Sequence, residues 1–113
     1  MRAITLMKSS LQGIDRLKVA KTVGLSPRYF SRVFKAETGT TFEKYLLQLR
    51  LEKARDLLRY TALPIKQVGL EAGFGSSAYF FEAFKRMSGL APERYRKTMN
   101  EPQAAIVRKR PHW

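Results

Sequence analysis

No cysteine occurs in this 113-residue chain, and its one histidine is His112. Disulfides, thiolate zinc sites and cysteine nucleophiles are excluded, and a histidine base would have to come from the last few residues. No glycine-rich phosphate loop follows a strand-like segment. No apolar run approaches the ~18 residues that suggest a membrane span. Met1-Arg2-Ala3-Ile4-Thr5-Leu6 is broken by Lys8-Ser9-Ser10 too soon to be a secretory signal. These absences predict a non-enzymatic, cytoplasmic protein with no cofactor, no metal, no small-molecule site and no place in a membrane. Acidic residues are scarce too, nine against 22 lysines and arginines, for a net charge of +13.

That excess calls for a polyanionic partner. It is spread along the chain. Residues 1–60 hold 13 basic and five acidic residues, and residues 61–113 hold nine and four. A basic tail would have placed the charge at one end. A generically basic protein of ribosomal type has the same bulk numbers, so composition alone does not name the polyanion. The hydrophobic fraction of 44% is ordinary for a folded domain. A chain this short, split into two subdomains, has only thin cores and depends on helix packing.

A repeat at an offset of about fifty residues organises the chain. Val19-Ala20-Lys21-Thr22-Val23-Gly24-Leu25 aligns with Val68-Gly69-Leu70-Glu71-Ala72-Gly73-Phe74. Tyr29-Phe30 then aligns with Tyr79-Phe80, Phe34-Lys35 with Phe84-Lys85, and Gly39 with Gly89. The second copy is one residue longer between its first glycine and its Tyr-Phe pair. Each copy reads as helix, tight turn, helix. In the first, Asp15 caps a helix carrying Leu17, Val19, Ala20 and Val23, and Gly24 suits a left-handed end. Ser26 then caps a second helix with Pro27 at its first position and Phe30, Val33 and Phe34 inward. In the second, Pro64 opens a helix with Ile65, Val68 and Leu70. Ser76 caps the next, with Phe80, Ala83 and Phe84 inward.

Between the copies, Thr40 to Glu43 fits a capping box. Phe42, Tyr45, Leu46, Leu49, Ala54, Leu57 and Leu58 form one apolar stripe, and no Pro or Gly interrupts residues 41–60. Residues 2–11 form a first helix, and Pro92 starts a last one through Tyr95. The expected fold is therefore all-α with about seven helices. A first helix-turn-helix subdomain covers residues 1–39, a linker helix 40–60, a second subdomain 61–99 and a flexible tail 100–113.

In such a unit the second helix enters the DNA major groove. With Phe30 and Phe34 inward, Arg28, Ser31, Arg32 and Lys35 lie toward the other face. Arg32 is the strongest candidate base reader, because an arginine fork pairs with guanine O6 and N7. Arg28 suits a base or a phosphate, Ser31 is small enough for close approach, and Lys35 suits phosphate. The second helix would present Ser77, Ala78, Phe81 and Glu82. Phe81 could press on thymine methyls and Glu82 could accept from cytosine N4. Lys85, Arg86, Arg94 and Arg96 are phosphate candidates. A 42–60 helix would span ~28 Å, against a groove repeat of ~34–36 Å, so one monomer could hold two heads about one DNA turn apart on a non-palindromic site.

Arg50-Leu51-Glu52-Lys53-Ala54-Arg55-Asp56-Leu57-Leu58, Val68 to Phe74, Tyr79-Phe80, Phe84-Lys85 and Gly89-Leu90-Ala91-Pro92-Glu93-Arg94-Tyr95-Arg96 together resemble the AraC/XylS family of transcription regulators. So does Gly24 through Lys35. The resemblance covers about residues 14–97. It implies two helix-turn-helix subdomains on a linker helix, acting at bacterial promoters on double-stranded DNA, usually as activators in contact with RNA polymerase. Many members add an effector-binding and dimerisation domain. This sequence is expected to be either a short stand-alone member or the C-terminal portion of a longer one. It departs from the family at Gly69, where alanine is usual, at Pro64 and Ala91, where capping residues are usual, and at Phe81-Glu82, where a small polar residue and an arginine are common. The competing reading is a basic helical RNA-binding or protein-interaction module. RNA readers display aromatics on a platform, whereas these aromatics fall at core spacing. A membrane-surface helix over 42–60 would need the apolar face that the subdomains use.

Overall fold

The computed structural model describes residues 2–100. Among them are seven α-helices and no strand: α1 (Arg2–Ser9), α2 (Arg16–Thr22), α3 (Pro27–Thr38), α4 (Phe42–Tyr60), α5 (Ile65–Glu71), α6 (Ser77–Ser88) and α7 (Pro92–Met99). The chain divides into two compact units, one up to Arg50 and one from Leu51. The division falls inside α4. The flexible tail expected from residue 100, with His112 and Trp113, lies outside the described residues except for Asn100.

The first unit is built from α1, α2, α3 and the first half of α4. Asp15 accepts from the Lys18 amide and Ser26 from the Tyr29 amide, so both helices of the motif begin on side-chain caps. The turn between them closes with two bonds, Leu25 N–H to Ala20 O and Gly24 N–H to Lys21 O. That pair is the Schellman closure, and it requires a left-handed residue, here Gly24 at φ 78°. The core joins Ala3, Met7, Val19, Ala20, Phe30, Phe34, Phe42 and Leu46. Phe30, Phe34 and Phe42 surround one another at 5.6–5.7 Å, and Tyr45 stands edge-on to Phe34 at 5.4 Å.

The second unit repeats the turn and the second-helix cap bond for bond, but α5 has no side-chain cap. Phe74 N–H donates to Gly69 O and Gly73 N–H to Leu70 O, with Gly73 at φ 99°. Ser76 caps α6 through the Tyr79 amide. Gly75 is the extra residue of the second copy. Ser88 donates to Phe84 O and Leu90 O and accepts from the Leu90 amide. Thr38 does the same with Phe34 O, Thr40 O and Thr40 N–H. Tyr95 stands edge-on to Phe84 at 5.2 Å, the counterpart of Tyr45 on Phe34. The repeat therefore extends past Gly39 and Gly89 into the first turns of α4 and α7.

Three local expectations change. The α4 cap is Thr41, whose Oγ1 accepts from the Lys44 amide, and not Thr40. Thr40 is bonded to Thr38, and Glu43 turns to Arg16, so the capping box does not form. Pro64 is the residue before α5 and supplies no side-chain cap. The apolar stripe of α4 is not continuous: Phe42 and Leu46 serve the first unit, while Leu51, Ala54 and Leu58 are the buried residues of the second half. Leu51 lies two and a half turns beyond Phe42 and so falls off the stripe read from the sequence. Leu17 on α2 and Leu70 on α5 are 59% and 49% exposed.

Candidate nucleic-acid interface

α3 is fixed on its inner side by Phe30 and Phe34, both with no exposed surface. At 3.6 residues per turn, positions 28, 31, 32 and 35 share the outer side. Arg28, Arg32 and Lys35 are exposed, and Ser31 is half-buried. None of these three cations has a carboxylate partner among the described residues. The outer face of α3 is thus a row of three undischarged positive charges around one hydroxyl.

That hydroxyl is held by Arg16, which sequence reasoning did not single out. From the first turn of α2, Arg16 Nη1 donates to Ser31 Oγ at 3.0 Å and to Pro27 O at 3.3 Å. Its Nε lies 3.5 Å from Glu43 Oε2 in the first turn of α4. One guanidinium therefore ties α2, α3 and α4 of the first unit together, at the edge of a groove lined by Ser31, Arg32, Lys35 and Glu43.

α6 has the same buried side, with Phe80, Ala83 and Phe84 inward. At the fifty-residue offset, Arg28 becomes Ala78, Ser31 becomes Phe81, Arg32 becomes Glu82 and Lys35 stays Lys85. Ser77, Ala78, Phe81, Glu82, Lys85 and Arg86 are all exposed. Phe81 shows 37% of its surface and keeps one edge against Phe80 at 5.9 Å. Arg86 donates to Glu82 at 2.7 Å across one helical turn. Both side chains are about 70% exposed, so the pair contributes only ~0.3–0.5 kcal/mol. It still changes the electrostatics. Glu82 faces solvent discharged by its neighbour, and Arg86 reaches a phosphate only by leaving it.

Arg94 is exposed on α7, as a phosphate contact requires. Arg96 is not available for one. Its guanidinium donates to Leu58 O at 3.0 Å, to Leu57 O at 3.4 Å and to Leu63 O. Leu57 and Leu58 lie in the last turn of α4, where carbonyls begin to lose their helical partners, although Leu57 O still accepts from the Thr61 amide at 3.1 Å and hydroxyl at 2.6 Å. A cation there also meets the negative end of the helix dipole. Arg96 thus closes the end of α4. Arg50 acts similarly in the first unit, donating to Leu11 O at 3.0 Å and Ile14 O at 3.3 Å.

Among the described residues no cluster of three acidic or histidine side chains could hold a metal, and no helix is long and apolar enough to cross a membrane. A family model described as a helix-turn-helix domain matches residues 19–98. The chain is 37% identical over 84 residues to the HTH-type transcriptional regulator GlxA of Rhizobium meliloti, covering 74% of this chain and 26% of that protein. It is 32% identical over 101 residues to the HTH-type transcriptional activator RhaR of Salmonella dublin, covering 88% of this chain and 36% of that one. The chain belongs to the AraC family of helix-turn-helix transcription regulators.

Solved structures agree. The C-terminal domain of AraT, a response regulator from Geobacillus stearothermophilus, superposes with a TM-score of 0.81 at 36% identity, over 86% of this chain and 82% of that one. The DNA-binding domain of AdpA, solved with a target DNA, shares the fold with a TM-score of 0.82 at 23% identity over 96% of each chain. The chain spans about a third or less of the length of the curated relatives it matches. It is an AraC-type helix-turn-helix DNA-binding domain.

Proposed function

We propose that this chain binds double-stranded DNA sequence-specifically through α3 and α6, each in a major groove of one duplex, and thereby regulates transcription as an activator. The observation that carries the reading is the outer face of α3. Phe30 and Phe34 on its inner side are completely buried, its first turn is capped, and Arg28, Arg32 and Lys35 project from it with no carboxylate partner among the described residues. A rigid helix with a cationic outer row fits a groove wide enough to admit it and lined with phosphates. The net charge of +13 supports the same partner. That AdpA was solved bound to DNA and RhaR is called an activator supports the direction. In this reading the chain acts by binding and not by catalysis, works as a monomer on a non-palindromic site, and contacts RNA polymerase.

The two heads are unequal. α3 supplies most of the discrimination, through Arg32 above all. α6 reads with a small apolar and aromatic surface around the Glu82–Arg86 pair. The test is gel-shift titration of a selected duplex and of a hairpin RNA across a salt series. Duplex affinity should fall linearly in log–log form with salt, with a slope set by the phosphates contacted. A flat response, or preference for the RNA, would overturn the proposal. A footprint confined to a single groove would overturn its two-headed part.

A further inference from the structure

We propose that Arg16 is a positioning residue for base reading by the first unit: it holds Ser31 Oγ in place and turns its hydroxyl into a donor toward the DNA. The inference rests on the DNA-binding reading above. A serine hydroxyl has one hydrogen and two lone pairs, and on its own it can donate to or accept from a base edge. Here Arg16 Nη1 donates to Ser31 Oγ at 3.0 Å. A cation donating to one lone pair draws density from the oxygen, which weakens the other lone pair and strengthens the O–H as a donor. Ser31 is thereby biased toward acceptors, such as guanine O6 and N7, adenine N7 or thymine O4, and against the amino groups of cytosine and adenine.

Geometry supports a fixed Arg16. Its Nη1 also donates to Pro27 O at 3.3 Å, one turn before Ser31. Its Nε is 3.5 Å from the Glu43 carboxylate on α4. Three anchors from two helices leave a long side chain little freedom, so less order has to be created when DNA arrives. The same contacts turn Arg16 inward along α3, whereas Arg28, Arg32 and Lys35 project outward and have no such anchors among the described residues. The second unit has no counterpart, because Phe81 stands where Ser31 stands in the first.

The experiment selects binding sites from random duplexes with the 113-residue chain and with Arg16→Met, Ser31→Ala and the double variant, and measures the salt slope of each. Arg16→Met and Ser31→Ala should relax preference at the same base pair, by about 2- to 10-fold, the effect of one hydrogen bond. The double variant should be no worse than Ser31→Ala alone, and all four salt slopes should agree. Glu43→Gln, which keeps the helix and removes one anchor, should show a smaller loss at that base pair. The proposal is overturned if Arg16→Met lowers the salt slope by about one, which would make Arg16 a phosphate contact. It is also overturned if the two single variants relax different positions, or if Arg16→Met relaxes none. If the parent chain selects no sequence, the DNA-reading proposal itself fails. Circular dichroism of each variant separates these outcomes from unfolding, and Glu43→Gln still decides the matter if Arg16→Met does not fold.

Discussion

Replacing Gly69 with alanine should destabilise the second unit, although helix propensity argues the reverse. Within a helix interior, alanine is favoured over glycine by about 1 kcal/mol. Gly69 is buried in α5. A Cβ built there would lie 2.8 Å from Phe80 Cδ2 and 3.1 Å from Phe80 Cγ. Those distances are far inside van der Waals contact, and the ring has nowhere to go. Phe80 has no exposed surface and is flanked by Phe74 at 5.0 Å and Phe84 at 5.8 Å. Overpacking of that kind costs about 1–3 kcal/mol, so the net loss should be about 0–2 kcal/mol. The first unit shows the compensating pair: alanine at position 20 goes with Leu25, and glycine at position 69 goes with Phe74. The larger Phe74 packs against the Phe80 ring at 5.0 Å, and that ring lies over Gly69. Gly69→Ala with Phe74→Leu should therefore be more stable than Gly69→Ala alone. Hydrogen exchange of the α5 and α6 amides reads the second unit separately from the first. If Gly69→Ala slows exchange there by the factor of about five that a gain of 1 kcal/mol implies, the argument from the Phe80 contact is wrong.

Further expectations concern the interface. Arg32→Ala should cost about 1–3 kcal/mol of binding to the preferred site and relax one base position, while Glu82→Ala should cost less; the reverse order in competition gel shifts would invert the ranking of the two heads. Arg94→Ala should lower the log–log salt slope by about one with little effect on folding. Arg96→Ala should leave the slope unchanged and lower the melting temperature, because it strips charged donors, worth about 1.5–3 kcal/mol each, from the carbonyls ending α4; a changed slope with unchanged melting would return Arg96 to the phosphate contacts.

Features encoded by near neighbours were legible in the sequence. Asp15, Ser26 and Ser76 each cap the helix that follows within three residues. Gly24 and Gly73 sit where the left-handed turn requires them. Phe30, Phe34, Phe80 and Phe84 at helical spacing marked the buried sides of α3 and α6. Long side chains with distant partners were not legible. Arg96 bonds carbonyls 33 to 39 residues away, and Arg16 reaches Ser31 across 15. No spacing rule fixes such pairs, and an arginine that closes a helix end is the same letter as one that grips phosphate. Leu51 was missed for a related reason: one period was read through 42–60, whereas α4 changes its buried residues where the two units divide.

The repeat explains how two units of one fold come to differ on their outer faces. The fold constrains the inward positions and the turn, and there the copies agree down to single hydrogen bonds, Leu25 to Ala20 against Phe74 to Gly69, and Thr38 against Ser88. Where one inward residue grows, as from Leu25 to Phe74, its neighbour shrinks from Ala20 to Gly69. The outward positions carry fewer constraints, the chief ones being the Arg16 bond to Ser31 and the edge of Phe81 on Phe80. Arg28, Ser31 and Arg32 face Ala78, Phe81 and Glu82 across the alignment, and none of these six contributes a buried side chain. Exchanging them costs little folding energy, because surface substitutions away from caps and cores usually change stability by less than about 0.5 kcal/mol. The reading faces are therefore free to diverge while the scaffold is held. The charge on them, three cations on the outer face of α3 against two cations and one carboxylate on that of α6, is not dictated by the fold. If α6 reads DNA as proposed, the base pair opposite Glu82 is accordingly a property the second unit can change without loss of structure.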